Sequence, residues 1–123
     1  MKLLFCLSAV ALTLAFTQPA TAASGDDDVL KTRATAMTRQ LAQKVPLTEA
    51  QFVKVRRLNL RMLAETQALK TSFANDSAAL DQRMAELQDH YEWDMAAILW
   101  PRQMAAYEQS RASMTALSQS GNQ

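Results

Sequence analysis

The chain is poor in the residues that most active sites and most small exported folds rely on. Among 123 residues it has one cysteine, one histidine, two glycines and three prolines. Cys6 lies inside the apolar run 3–16, so everything after that run lacks disulfide and thiol chemistry. The lone His90, with no cysteine near it, makes neither a closed zinc site nor a nucleophile, base and orienting group. No catalytic residue, metal or cofactor is therefore expected, and the chain is not read as an enzyme. Nowhere do β-branched residues alternate with polar ones over a useful length, which excludes a sheet. Past residue 16 no segment approaches the ~20 apolar residues of a membrane span.

What is present begins with a leader. Met1-Lys2, the apolar run and Ala20-Thr21-Ala22 have the form of a secretory signal peptide cut after Ala22. That implies an exported, periplasmic protein with three parts: signal 1–22, a helical domain 23–117 and a disordered polar tail 118–123. With Lys2 set aside, the remaining twelve of the thirteen basic residues balance the twelve acidic ones. A neutral chain lacks the basic excess that nucleic acid or an anionic membrane surface demands.

The class is all-α, with four helices. Helix one is expected to start at Asp26-Asp27-Asp28, where negative charge favours a helix N-terminus. It carries Leu30, Ala34, Met37 and Leu41 on one face and stops before Pro46. Both glycines, Gly25 and Gly121, fall outside the expected helices. Helix two runs to Phe73 with an apolar stripe of Phe52, Val55, Met62, Leu69 and Phe73, and Leu58 and Leu63 at its margins. Val53 and Leu60 form a second seam on it, and Lys54, Arg57 and Arg61 lie opposite the stripe. Two seams imply two partners. After the turn at Asn75-Asp76-Ser77, helix three carries Leu80, Met84, Leu87, Tyr91, Met95 and Ile98, and its polar side is acidic. Helix four carries Met104, Tyr107, Arg111 and Met114.

One pattern occurs twice. In Leu47-Thr48-Glu49-Ala50-Gln51, Thr48 is an N-cap, Gln51 completes a capping box, and Leu47 with Phe52 forms the hydrophobic staple. In matching register 52 residues later, Leu99-Trp100-Pro101-Arg102-Gln103 keeps the staple as Leu99 with Met104 and keeps Gln103. It places Pro101 at the first helical position. The threonine cap is replaced by Trp100, which is expected to pack on the adjoining helix ends. The repeat suggests two degenerate helix-motif-helix units.

With these paired motifs in an exported helical chain of this size, the sequence resembles the LTxxQ-motif periplasmic protein family (Spy/CpxP-like). The resemblance implies a four-helix elongated protomer that pairs antiparallel into a cradle-shaped homodimer. It further implies an ATP-independent, holdase-like chaperone of the envelope stress response that binds unfolded or aggregating proteins. The alternative is a regulatory protein that docks onto a stress- or metal-sensing system such as a sensor-kinase domain. Trp100 departs from the family's threonine, and the neutral charge departs from its basic chaperone member.

The candidate client or dimer surface is Val53, Lys54, Arg56, Arg57, Leu60, Arg61 and Trp93. The basic residues of helix two can capture acidic segments by long-range attraction, or simply pair with the acids of helix three. Trp93 falls on the polar side of helix three near Glu86 and Asp89, where it wants a dimer or client contact. The six methionines past residue 22 can supply an adaptable apolar surface, but their places on the stripes favour core filling. A metal site can be drawn around His90 with Glu86 and Asp94, though one histidine and two carboxylates are too few donors to expect it.

Overall fold

The computed structural model describes residues 21–120, with side chains described for residues 25–113. The described chain is all-helical: α1 Thr21–Ala42, α2 Glu49–Ser72, α3 Ser77–Ile98 and α4 Pro101–Ser120. Most of the signal segment lies outside the described residues, as does the end of the tail. α4 itself continues to Ser120, overlapping the first three residues of the expected tail.

Each boundary has a local cause. The Lys44 and Val45 amides both donate to the Leu41 carbonyl as α1 unwinds ahead of Pro46, the residue that could not continue it. Thr48 caps α2 with a complete capping box, and the Asp76 carboxylate accepts from the Ala79 amide to start α3. α4 begins at Pro101, as its fixed φ favours.

The start of α1 differs from the sequence expectation. The helix is already formed at Thr21, ahead of the three aspartates, and it includes Gly25. Thr21-Ala22-Ala23-Ser24 contains nothing that opposes a helix, and an exposed glycine weakens one without breaking it. A Cβ at Gly25 would meet nothing within 4 Å. Gly25→Ala should therefore raise stability by up to ~0.5–1 kcal/mol, a shift readable by urea denaturation followed by circular dichroism.

α1 packs along α2 and α2 along α3, while α4 meets α3 over a short stretch. The core gathers at the motif end. Val45, Val55, Leu58, Met95, Leu99 and Tyr107 form one buried cluster, with Leu41, Leu47, Tyr91, Ile98 and Met104 packed against it. Leu58, expected at the margin, is in this core. Phe52, Met62, Leu69 and Phe73, expected on the central stripe, are only half-buried. From residue 60 to residue 94 no side chain is fully buried. The α2–α3 hairpin, with α2 about 36 Å long at ~1.5 Å per residue, thus extends beyond its own core. Of the methionines with described side chains, only Met95 is fully buried; Met37, Met62, Met84 and Met104 are half-buried.

A buried polar ladder crosses the helices. The Thr38 hydroxyl donates to the Ala34 carbonyl at 2.7 Å and accepts from Asn59 Nδ2 at 3.0 Å. The Tyr91 hydroxyl donates to Asn59 Oδ1 at 2.6 Å. Burial, and then the neighbouring Tyr107, push the Tyr91 hydroxyl well above its usual range; burial raises Tyr107 too, against the pull of Arg111. A tyrosine kept neutral by the fold holds its proton after an unfolded one has lost it. Its stabilising contribution is thus intact below roughly pH 10 and is lost as pH rises beyond that. Melting temperatures should fall steeply above roughly pH 10 in the wild-type protein. Tyr91→Phe should melt lower at neutral pH, by ~1–3 kcal/mol for the orphaned Asn59 oxygen, with a shallower alkaline fall.

Candidate functional site

The two motif copies meet. Gln51 and Gln103, 6% and 8% exposed, face each other as a reciprocal amide pair. Gln51 Nε2 donates to Gln103 Oε1 at 2.7 Å, and Gln103 Nε2 donates to Gln51 Oε1 at 2.8 Å. The second N–H of Gln51 reaches the Ile98 carbonyl at 3.1 Å. That of Gln103 reaches the Pro46 carbonyl at 2.5 Å. Each amide oxygen also accepts from its own cap backbone, Thr48 N–H at 3.0 Å and Trp100 N–H at 2.8 Å.

Each side-chain amide has two donors and two acceptor sites, and all four are used on both glutamines. Turning either amide over would set its NH2 against a cap N–H and its oxygen against a backbone carbonyl, so the orientation is determined. Every bond made by one glutamine side chain has its counterpart 52 residues away. The junction ties the loop before α2 to the loop before α4 and fixes the angle between the two halves. Thr48 adds one bond, its Oγ1 accepting from the Gln51 amide at 3.2 Å. Trp100 has no equivalent oxygen, but its backbone N–H keeps the other half of the box. Leu47 and Met104 pack on the core, Leu99 is within it, and Phe52 is half-buried. These motif residues hold a junction between the two halves.

The surface candidates separate into two groups. Arg61 pairs with Asp94 of α3 and with Glu65, and Arg56 Nε donates to the Thr35 hydroxyl of α1 at 2.7 Å. Lys54 and Arg57 are exposed and form no ion pair with a described residue. The expected match of basic α2 to acidic α3 is thus realised at Arg61 alone. Glu86 pairs instead with Arg83 of its own helix, and Glu92 with Arg111 of α4 at 2.5 Å.

The apolar candidates are conspicuously open. Trp93 is 81% exposed, Trp100 61% and Val53 49%, while Leu60 is half-buried. The exposure of Trp100 corrects the expectation that it packs on the adjoining helix ends. Its backbone is tied to Gln103, and the core beneath is already filled by Leu99 and Met95, so the indole projects outward. Trp93 borders a shallow depression with Asp89, His90 and Asp94. No group of three or more His, Cys, Asp or Glu suited to a metal occurs among the described residues.

No protein-family model, curated protein or solved structure matches this chain. The functional reading therefore rests on the geometry above.

Sequence reasoning found the capping box at Thr48 and Gln51 and the place of Trp93 on the polar side of α3 but missed the glutamine pair and the polar ladder. The signal for the pair was the shared register of Gln51 and Gln103. The signal for the ladder was polar Thr38 and Asn59 at stripe spacing beside Ala34 and Val55, which a count of apolar residues alone passes over.

Proposed function

We propose that the protein is a periplasmic, ATP-independent, holdase-like chaperone of the envelope stress response, working as an antiparallel homodimer of LTxxQ type. The observation that carries this reading is the exposure of Trp93, Trp100 and Val53 on a frame whose own junction is fully satisfied. Isolated exposed apolar residues are ordinary, but two tryptophans this open are the residue type that anchors protein contacts. Lys54 and Arg57, without an ion pair among the described residues, add charge for salt-sensitive encounter with acidic segments. The absence of any fully buried side chain from residue 60 to residue 94 supports pairing, because a second copy would cover the half-exposed Phe73, Leu80 and Leu87. The 52-residue correspondence at the glutamine junction supports two helix-motif-helix units. No bond is made or broken: contacts are weak, dispersed and reversible.

A regulatory protein that docks on one sensor domain is the alternative. Capture from envelope extracts separates the two, since the chaperone reading predicts many unrelated proteins and the regulatory one a single partner at saturable stoichiometry. Sedimentation at micromolar concentration should show a dimer, and a stable monomer would defeat the pairing.

A further inference from the structure

The four helices leave a cleft of about 260 Å3 between them, lined by residues of every helix. Its wall is made by Met37 and Leu41 of α1, Met62 of α2 and the rings of Tyr91 and Tyr107. An apolar cavity of ~150 Å3 accepts benzene, while drug-sized ligands occupy pockets of ~300–1,000 Å3. The cleft thus has room for one ring with a short substituent. Thioether and aromatic walls favour a ring over a saturated chain.

Two polar groups of the cleft have no hydrogen-bond or ion-pair partner among the described residues. Ser110 is 9% exposed and lines the cleft, yet its hydroxyl makes no hydrogen bond to a described residue. No buried side-chain polar atom among the described residues lacks a partner, so the Ser110 oxygen keeps contact with solvent and is open to a ligand atom. Lys44, itself exposed, also lines the cleft and forms no ion pair with a described residue. No acid is among the described lining residues, and Glu92, which pairs with the lining Arg111 at 2.5 Å, also accepts from Gln88 at 2.9 Å. The lining is therefore apolar with net positive charge.

From this complementarity we propose that the cleft is a binding site for a small aromatic carboxylate, its ring between the methionines and the tyrosines, its carboxylate on Lys44 and its polar edge on Ser110. The site is separate from the exposed tryptophans and goes beyond the holdase reading. It places a ligand among α1, α2, α3 and α4 at the level of the polar ladder, where occupancy would brace the helices against one another.

The test is titration of the purified protein with benzoate, benzyl alcohol and benzylammonium, followed by amide chemical shifts. Benzoate should give saturable shifts centred on residues 37–44 and 107–111, and benzylammonium should bind at least tenfold more weakly. Lys44→Gln should weaken benzoate at least fivefold and leave benzyl alcohol unchanged. Ser110→Leu, which fills the cleft, should abolish binding of both while circular dichroism shows the helices intact; should that variant not fold, Lys44→Gln still decides. No saturable shift with benzoate, equal binding of benzylammonium, or an unaltered affinity in Lys44→Gln would overturn the proposal. Loss of benzoate binding as the protein self-associates would do so as well, by showing that a second copy fills the cleft.

Discussion

Gln51→Ala should be among the most damaging single substitutions in this protein, lowering stability by roughly 3–5 kcal/mol. The figure follows from what it leaves behind. The Ile98 carbonyl, the Thr48 N–H and half of the Gln103 amide all lose a partner in a buried setting, and each such group costs ~1–3 kcal/mol, partly relieved by entering water. A small domain has only ~5–15 kcal/mol in total. The melting temperature should therefore fall by more than about 15 °C, or the protein should fail to accumulate folded. Gln103→Ala should behave alike, orphaning the Pro46 carbonyl and the Trp100 N–H. The double variant Gln51→Leu/Gln103→Leu should cost less than the sum of the corresponding singles by ~1–3 kcal/mol, since both members of the amide pair leave together. Urea unfolding of the singles and the double gives this coupling directly. Additivity within about 0.5 kcal/mol would mean that the pair is not the junction's source of strength.

The second large effect is on function with stability held constant. Trp93→Ser/Trp100→Ser removes two side chains that are mostly in water, so its stability should stay within about ±0.5 kcal/mol of wild type. If these indoles hold clients, the double variant should need at least several-fold more protein to suppress aggregation to the same degree. Lys54→Glu/Arg57→Glu should instead slow capture at low salt and lose its effect as salt rises, because exposed charges separated by more than ~10 Å are largely screened at ~0.1 M. The two variants thus separate the contact step from the encounter step. A Trp variant that unfolded early would show that the indoles serve the fold.

How much of this was legible in the residues follows from range. Helix starts are set by neighbours, so Thr48, Asp76 and Pro101 marked α2, α3 and α4 correctly. The apolar spacing gave the helices, but it could not rank Leu58 above Phe52 or Met62. Burial here depends on where α2 crosses α1 and α3, near Val55, Leu58 and Asn59, and not on the stripe as a whole. The glutamine pair joins residues 52 apart, and no local pattern states that two capping residues will face each other. The ladder was hidden for a related reason. Thr38, Asn59 and Tyr91 are each unremarkable on their own helices and acquire meaning only when three helices bring one hydroxyl, one amide and one phenol together. Trp100 reversed the expectation because a large apolar side chain suggests burial, whereas its place at a cap fixes its backbone and leaves its ring no interior to enter.

The central claim is that a rigid, fully satisfied junction carries exposed aromatic and basic groups that hold aggregating proteins. Light scattering of a thermally aggregating client at low salt tests it most directly. Stoichiometric wild-type protein, without nucleotide, should suppress the scattering, and the suppression should weaken as salt is raised. Unchanged client aggregation at stoichiometric protein and low salt would contradict it.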